Sequence, residues 1–171
     1  MAIGEQQQGV YTQSLMAFED AFGKDPADLS SRAILLPFNS NALTASQNST
    51  APGTITGRRD PVEPIYGNID VAGQVVVPVD ATSFGWWLTA AFGEPTTEDG
   101  TVEGTYKHVF KPSKRQPSLI MEKAFPDIGV YTKYNGCKVS TLEITTGGDG
   151  ELVANIDMMG ANETINKATI S

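Results

Sequence analysis

The chain has 171 residues, of which 40% are hydrophobic and 19% charged, and its formal net charge is −8. This composition predicts one folded domain spanning residues 1–171 and excludes a disordered chain. The acidic balance argues against a groove that grips nucleic acid, because such a groove needs Lys and Arg to neutralise phosphates.

The cysteine count argues against a protein built on disulfides or a cysteine-based metal site, and the hydropathy argues against a membrane-spanning protein. Cys137 is the only cysteine, so neither an internal disulfide nor a cysteine-based metal site is expected, and an intracellular folding compartment fits this count. The polar start Met1–Gln8 does not have the features of a signal peptide. No apolar run approaches the roughly 20 residues that cross a bilayer, so no membrane partner is expected.

The first third of the chain is mostly polar. Residues 1–33 are predicted to form an N-terminal arm, in which Tyr11 to Phe22 is either a short helical turn or an extended segment. The run Ala33 to Phe38 predicts a buried strand that Pro37 brings to an end. Residues 39–68 are rich in Asn, Ser, Thr, Gly and Pro and are predicted to form a long loop, either functional or a plain surface loop.

A strand followed by a helix is predicted in the middle of the chain. From Ile69 to Val79 the apolar residues share one parity, and this period of two is typical of a half-buried strand. Thr82 or Ser83 then provides an N-cap for a helix of about three turns, which ends at Gly93. Its apolar stripe recurs at helical spacing and is predicted to anchor the helix on the core: Phe84, Trp87, Leu88 and Ala91.

The second half predicts a series of strands. After an acidic loop over residues 94–104, strands are expected at 106–110, 119–123, 130–134, 138–145 and 151–159. Asn135-Gly136 is a strong hairpin signal between the third and fourth of these strands. The element order predicts a mainly β fold, a β-sandwich or open barrel with one flanking α-helix.

The sequence predicts no catalytic, cofactor-binding or metal-binding residues. The single histidine, His108, lies in a predicted strand, and Cys137 follows a turn without a recognisable motif, so a structural role is favoured for both. Asp149-Gly150-Glu151 could offer oxygens to calcium, but it does not match a spaced calcium loop, and turn chemistry explains it equally well. The chain is therefore not expected to be an enzyme.

Several short segments, in this serial order, resemble the phage tail tube protein family. They cover residues 34–161, and none is a catalytic signature. The segments are Leu36-Pro37-Phe38, Asp60-Pro61-Val62, Gly67-Asn68-Ile69-Asp70-Val71-Ala72-Gly73, Phe84-Gly85-Trp86-Trp87-Leu88, Ala90-Ala91-Phe92-Gly93, Tyr106-Lys107-His108-Val109-Phe110, Pro117-Ser118-Leu119-Ile120-Met121-Glu122-Lys123, Tyr134-Asn135-Gly136-Cys137-Lys138-Val139 and Asp157-Met158-Met159-Gly160-Ala161.

The resemblance implies a structural subunit of the virion tail, assembled in the host cytoplasm. Six subunits would form a ring whose inner strands close a barrel, and rings would stack through long loops and terminal arms into the conduit for DNA ejection. Expected partners are further copies of the chain, the tape measure, tail terminator and distal tail proteins, and passing DNA without specific binding. Relatives continue beyond the level of Ser171, where Ala168 to Ile170 is predicted to start another strand. The chain is therefore either a short form or a truncation.

A conduit of this kind would carry acidic side chains on the surface that faces the bore. Candidates are Asp70, Glu143 and Asp157, on the solvent sides of predicted strands. The alternative is that the acidity serves solubility alone. Alternative functions are a head decoration, a head–tail connector, an injection-system tube subunit or, on account of Trp86 and Trp87, a carbohydrate-binding domain.

Overall fold

The structure is a computed structural model that describes residues 9–55, 57, 63–146 and 150–171. These residues form a mainly β architecture with one principal helix, as predicted. The strands are β1 Gln13–Phe18, β2 Ile34–Leu36, β3 Ser40–Asn41, β4 Thr44–Thr50, β5 Ile65–Pro78, β6 Thr96–Asp99, β7 Tyr106–Val109, β8 Leu119–Phe125, β9 Val130–Ile144, β10 Val153–Gly160 and β11 Asn162–Asn166. The helices are α1 Leu29–Arg32 and α2 Phe84–Phe92, and a 3-10 turn spans Gly9–Tyr11.

Nine of the strands form one antiparallel sheet, in which the long strand β9 joins two halves. The strand order is β2-β1-β8-β9-β10-β5-β3, with β4 also on β5 and β11 also on β9. The first half of β9 pairs with β8 and β11, and its second half pairs with β10. β6 and β7 form a separate two-stranded hairpin.

The main core lies between the two halves of this sheet. Met16 and Met121 from β1 and β8 pack in one apolar cluster with Val75 and Ile156 from β5 and β10, and α2 adds Trp87 to the same cluster. A side-chain bond crosses the cluster, since Lys123 Nζ of β8 donates to the carbonyl oxygen of Leu43 at 2.7 Å. The sheet therefore folds over onto itself, as a sandwich does.

A second apolar cluster covers the other face of β1 and β8. It contains Leu15, Ala17 and Ile120 together with Ile170 from the C-terminal segment. Beside it, the fully buried carboxylate of Glu122 accepts hydrogen bonds from Thr169 Oγ1 at 2.7 Å and from the backbone N–H of Ile170 at 3.0 Å. The C-terminal segment therefore lies on β8 through apolar and polar contacts, and it contains no strand over residues 167–171.

The prediction of an N-terminal arm over residues 1–33 is wrong where the structure describes it, although the extended alternative for Tyr11 to Phe22 is observed over Gln13–Phe18. β1 pairs on both sides, with β2 and with β8, and its residues Ser14 to Ala17 are buried. Burial on both faces removes the alternation that marks a half-buried strand, so periodicity could not identify β1. Residues 1–8 lie outside the described residues.

The long loop predicted over residues 39–68 is also wrong in large part. β3 and β4 lie within it, and β5 begins at Ile65. The ladder between β4 and β5 extends from the pair formed by Thr44 and Ala72 to the pair formed by Thr50 and Ile65. Most side chains of this ladder are exposed, so polar residues such as Ser, Thr and Asn can occupy the strands. The sequence of the ladder therefore shows no regular apolar period from which a strand could be predicted. Within the connection, residues 56 and 58–62 lie outside the described residues.

The hairpin predicted at Asn135-Gly136 is wrong, because β9 runs through both residues. The register of β8 on β9 shifts here, so that Leu119 pairs with Cys137 and Met121 with Tyr134. Gly136 has a φ of 66°, and a Cβ on it would lie 2.9 Å from Cβ of Ala161. The Asn-Gly pair therefore forms a bulge that bends a continuous strand. In the same way, β6 occupies part of the loop predicted at 94–104.

Candidate assembly surfaces

Among the residues that the structure describes, His108 and Cys137 are not brought together into one site, and Asp149 lies outside the described residues. His108 lies on the exposed β6–β7 hairpin, where its Nδ1 is 2.8 Å from Thr97 Oγ1. Cys137 is buried in the main core, and burial raises the pKa of its thiol to about 12, so the unreactive protonated form prevails. Within the described residues, no group of three or more His, Cys, Asp or Glu side chains is arranged to hold a metal ion.

Two of the four predicted helix anchors are buried, and Trp87 is fully so. Phe84 and Trp87 belong to the main core, whereas Leu88 and Ala91 pack against it half-buried. Ala90, which the stripe at i, i+3, i+4 and i+7 omits, is fully buried. The buried side of α2 is therefore rotated toward Ala90.

α2 begins after the predicted N-cap residue Ser83, but the side chain that accepts hydrogen bonds at this end of the helix belongs to Asp80. Ser83 is the N-cap and makes no side-chain cap bond. Asp80 accepts hydrogen bonds instead from the backbone N–H groups of Thr82 at 2.7 Å and Ser83 at 2.5 Å, and from both hydroxyl groups. These bonds hold the pKa of the Asp80 carboxyl well below its usual range. Asp80 is thus a capping residue that was not predicted from the sequence.

Trp86 lies off the buried stripe, as predicted. It is 41% exposed, and its ring centroid is 6.3 Å from that of Phe18. Together with Glu94 and His108 it lines an open cleft of about 370 Å³ between α2 and the β6–β7 hairpin. A single half-exposed indole in an open cleft makes a weak platform for a sugar ring, so the geometry gives no particular support to carbohydrate binding.

The three predicted acids lie on one face of the sheet. In β10 the buried residues are Ala154, Ile156 and Met158, so Asp157 points to the opposite, outward side. By the same alternation Asp70 of β5 and Glu143 of β9 point outward, and both are exposed. We call this outward surface of β5, β10 and β9, with Asp70, Asp157 and Glu143, the acidic face.

The register places polar neighbours around these acids. Asp157 pairs with Gln74 of β5, whose Nε2 donates to its Oδ1 at 3.1 Å, and Glu143 pairs with Asn155. Lys138 of β9 pairs with Met159 on the same side and places its ammonium 5.6 Å from the centroid of the Phe22 ring. The acidic face therefore has a negative balance, with Asp70, Asp157 and Glu143 against Lys138.

The four strands behind the acidic face have open edges on both sides. Their order is β4-β5-β10-β9, and neighbouring strands are antiparallel throughout. Among the described residues β4 pairs only with β5, and β9 has no second partner strand beyond Cys137, where the ladder with β8 ends. Exposed edges of this length favour pairing with another chain. The β4 edge could not be predicted from the sequence, because its polar residues are also typical of a loop.

Comparison with known proteins identifies relatives at the level of family and fold. The sequence model of a family described as phage tail tube protein matches residues 11–170. No curated protein sequence matches the chain. Within the part of the chain that the structure describes, no helix has the length and apolar character needed to cross a membrane.

Two solved structures share the fold. The SPP1 tail tube is 13% identical, with a TM-score of 0.50 over 94% of this chain and 79% of that chain. A PVC sheath/tube terminator, from an extracellular contractile injection system in its extended state, is 11% identical, with a TM-score of 0.51 over 96% of this chain and 99% of that chain. At these identities the likeness concerns the fold alone.

Proposed function

We propose, for a chain that belongs to the phage tail tube protein family and is a structural subunit of a tail tube, how its copies assemble. Six copies form each ring, and stacked rings form the conduit for DNA ejection. The four-stranded surface β4-β5-β10-β9 with two open edges carries this proposal.

The strand directions within one copy are compatible with closure of a ring. A rotation about the tube axis leaves the direction of each strand along that axis unchanged. Because β4 and β9 run antiparallel within one copy, β9 of one copy and β4 of the next also meet as antiparallel strands. Six copies joined in this way make one continuous barrel, and closure removes the exposed edges that would otherwise pair without control.

The acidic face suits the inner wall of such a barrel. A wall with several Lys or Arg side chains would bind phosphates and release their counterions, so each contact would retard moving DNA. Asp70, Glu143 and Asp157 repel the phosphate backbone instead, over a screening distance of about 8 Å at physiological salt. We therefore assign these three acids to the lumen and expect DNA to pass without specific binding.

The remaining properties follow from this role. We infer that the chain acts without catalysis, in the tail of a virion, after assembly in the host cytoplasm. Its partners would be copies of itself within and between rings, and at the ends of the tube the tape measure, tail terminator and distal tail proteins. Open strand edges support the contacts between copies. A head decoration or a head–tail connector would use the fold without forming an open-ended tube.

Imaging of the purified chain tests the assembly. Sedimentation velocity and negative-stain electron microscopy over a range of protein concentrations should show a monomer giving way to rings and open-ended tubes of constant bore. Particles of another shape, or a monomer at every concentration and after addition of preformed tube fragments, would contradict the proposal.

Thiol labelling tests which face lines the bore. Asp157→Cys places a thiol on the acidic face, and Glu98→Cys places one on the exposed strand β6 as the control. Cys137 is buried, so it contributes little background. In assembled tubes we expect Asp157→Cys to react with a small maleimide and to be protected from a polymer-linked one, while Glu98→Cys reacts with both. Equal reaction of Asp157→Cys with both reagents would place the acidic face outside the bore.

A further inference from the structure

The open edge of β4 presents backbone hydrogen-bonding groups at alternate residues. In an antiparallel sheet each residue directs its N–H and its carbonyl oxygen toward the same neighbouring strand, and successive residues alternate. The N–H of Ala42 donates to the carbonyl oxygen of Gln74 at 2.9 Å, so the even-numbered residues of this part of β5 bond toward β4. The ladder continues this phase and makes Thr44 a bonded partner of β5. Ala45 and Gln47 therefore direct both backbone groups to the open edge.

The open edge of β9 is described in the same way from the opposite side of the surface. The N–H of Val79 donates to the carbonyl oxygen of Leu152 at 2.8 Å, so the odd-numbered residues of β5 bond toward β10. Alternation across β10 then makes Glu143 a bonded partner of β10. Leu142 and Ile144 therefore direct their N–H and carbonyl groups to the open edge of β9.

The residues with free backbone groups on both edges carry their side chains on the core side of the sheet. Ala45 and Leu142 pack against the main core half-buried, and Gln47 and Ile144 share their sides by alternation. Ile144 is 40% exposed, although it is an apolar residue on the core side. A pairing of the two edges must match both the free backbone groups and the side-chain faces. Only every second register does so.

Leu43 and the end of β9 exclude the neighbouring registers of this set. Pairing Leu142 with Ala45 would set Ile144 opposite Leu43. The N–H of Leu43 donates to Asn41 Oδ1 at 3.0 Å, and its carbonyl oxygen accepts two side-chain donors of its own copy, so these groups are already used. A shift in the other direction places Ala45 beyond Ile144, the last residue of β9.

We propose that β9 of one copy pairs with β4 of the next copy in the register that sets Leu142 opposite Gln47 and Ile144 opposite Ala45. This inference rests on the proposed ring and defines the boundary between its copies. Each of the two pairs exchanges N–H and carbonyl bonds, so no backbone group of these four residues is left open. Ala45 of the next copy also covers Ile144, whose apolar side chain is exposed in a single copy.

The register also sets the tilt of the strands in the closed barrel. Within one copy the ladder leads from Glu143 across β10 and β5 to Ser40, whereas across the boundary Glu143 lies opposite Ser46. Each copy therefore shifts the ladder from Ser40 to Ser46, which is about 20 Å at 3.3 Å per residue, over four strand spacings of about 4.8 Å. These lengths give a tilt of about 45°, at the upper end of the range that β-barrels adopt.

Disulfide trapping across the boundary tests the register. Glu143 and Ser46 form a pair without backbone hydrogen bonds, whose Cα atoms are about 4.5 Å apart, a separation that suits a disulfide. Within one copy the two positions lie at opposite edges of the surface, and Cys137 is buried. Oxidised tubes of Glu143→Cys/Ser46→Cys should therefore give, on a denaturing gel without reductant, a ladder of covalent chains that ends at the hexamer.

The matched control is Glu143→Cys/Thr44→Cys. Thr44 lies on the same face of β4 as Ser46, two residues away, so the thiols of the control are diagonal neighbours about 7–8 Å apart. This distance exceeds the usual Cα separation in a disulfide, and the control should give no ladder.

A proline substitution tests the backbone bonds separately from the side chains. The N–H of Gln47 bonds only across the boundary in this register, so Gln47→Pro removes that donor and leaves the ladder of β4 with β5 in place. Gln47→Ala is the control, because it removes the same side chain and its bond to the carbonyl oxygen of Gly67. Gln47→Pro should raise the protein concentration at which tubes form by at least about tenfold relative to Gln47→Ala.

Three results would overturn the register and leave the proposed tube intact. They are a ladder from the control pair instead of the test pair, well-formed tubes without a ladder from either pair, and equal tube formation by Gln47→Pro and Gln47→Ala. A wild-type chain that forms no tubes would overturn both the register and the tube.

Discussion

Lys123 Nζ lies 2.7 Å from the carbonyl oxygen of Leu43, a residue 80 positions earlier in the chain. The hydroxyl group of Tyr134 donates to the same oxygen at 3.0 Å. Burial lowers the pKa of Lys123, because removal from water disfavours the charged form of its ammonium group. Two donors from β8 and β9 thus hold the connection between β3 and β4 against the core.

This shared acceptor predicts non-additive effects of two substitutions. Lys123→Met and Tyr134→Phe each leave one donor in place, so each should change the free energy of unfolding by about 1 kcal/mol or less. The double variant leaves a buried carbonyl oxygen unpaired and should cost about 1–3 kcal/mol beyond the sum of the single changes. Urea unfolding of the four proteins measures this coupling, and strictly additive values would show that the two donors do not substitute for each other at the Leu43 carbonyl oxygen.

Two adjacent tryptophans are expected to differ strongly in their effect on stability. Trp87 is 1% exposed in the main core, whereas Trp86 is partly exposed. Trp87→Ala should lower the free energy of unfolding by about 3–5 kcal/mol, because the cavity removes both transfer and packing energy. Trp86→Ala should cost clearly less. If denaturant unfolding found Trp86→Ala to be the more damaging change, the assigned buried side of α2 would be wrong.

The buried carboxylate of Glu122 predicts a pH-dependent contribution to stability. Burial raises the pKa of Glu122, while the bonds from Thr169 and Ile170 oppose this effect. Since the folded state then binds the proton more readily than the unfolded state, Glu122 favours folding increasingly as the pH falls through its raised pKa toward the ordinary value of 4.5. At neutral pH the charged form is the costly one.

Glu122→Gln tests this sign. The amide can donate to Thr169 Oγ1 and accept from the N–H of Ile170, so both contacts have a partner after the change. Relative to the variant, the wild type should gain stability in urea unfolding experiments as the pH is lowered from 7 toward 4.5. Glu143→Gln, which alters an exposed carboxylate on β9, is the control and should show little of this difference. A wild type that loses stability relative to Glu122→Gln over this range would contradict the assignment.

Hydrogen exchange should distinguish the outer part of the β4–β5 hairpin in a free subunit from the same segment in a tube; this part, Gln47–Thr50 with Ile65–Ile69, is called the arm. Peptides that cover Gln47–Thr50 and Ile65–Ile69 should exchange quickly in the monomer, because few buried apolar contacts support their backbone hydrogen bonds. In tubes the same amides should slow by at least about tenfold, while β1 stays slow in both states. Strong and equal protection of the arm in monomer and tube would be inconsistent with its ordering on assembly.

The sequence was informative where one side of an element faces water. The alternation from Ile69 to Val79 and the spacing of Phe84 and Trp87 led to the correct elements, because a half-buried strand and an amphipathic helix each show a regular apolar period. β4 has no such period, since its side chains are mostly exposed, and its polar residues resembled a loop. Whether Asp70, Glu143 and Asp157 face a bore could be suggested only from the family resemblance, because a lumen is a property of the assembly.

Asn135-Gly136 shows why a local signal can be correct in conformation and wrong in topology. Gly136 does adopt the positive φ that such a pair favours. Its backbone N–H, however, donates to Glu19 Oε1 at 2.8 Å, and the N–H of Ala161 donates to the carbonyl oxygen of Asn135 at 2.9 Å. Both partners are remote in sequence, so the choice between a hairpin and a bulge depended on contacts that a short window of sequence does not contain.

Burial of β1 and β8 on both faces has a consequence for how the chain selects its strand register. Where one face of a strand meets water, a slip by one residue exposes apolar side chains and is rejected. For β8 such a slip exchanges one apolar environment for another, so hydrophobicity discriminates poorly between registers. We infer that Glu122 and Lys123 supply the missing discrimination, because a slipped β8 would leave each charge buried without its oxygen or N–H partner. The least hydrophobic residues of the strand would then be the ones that determine its alignment.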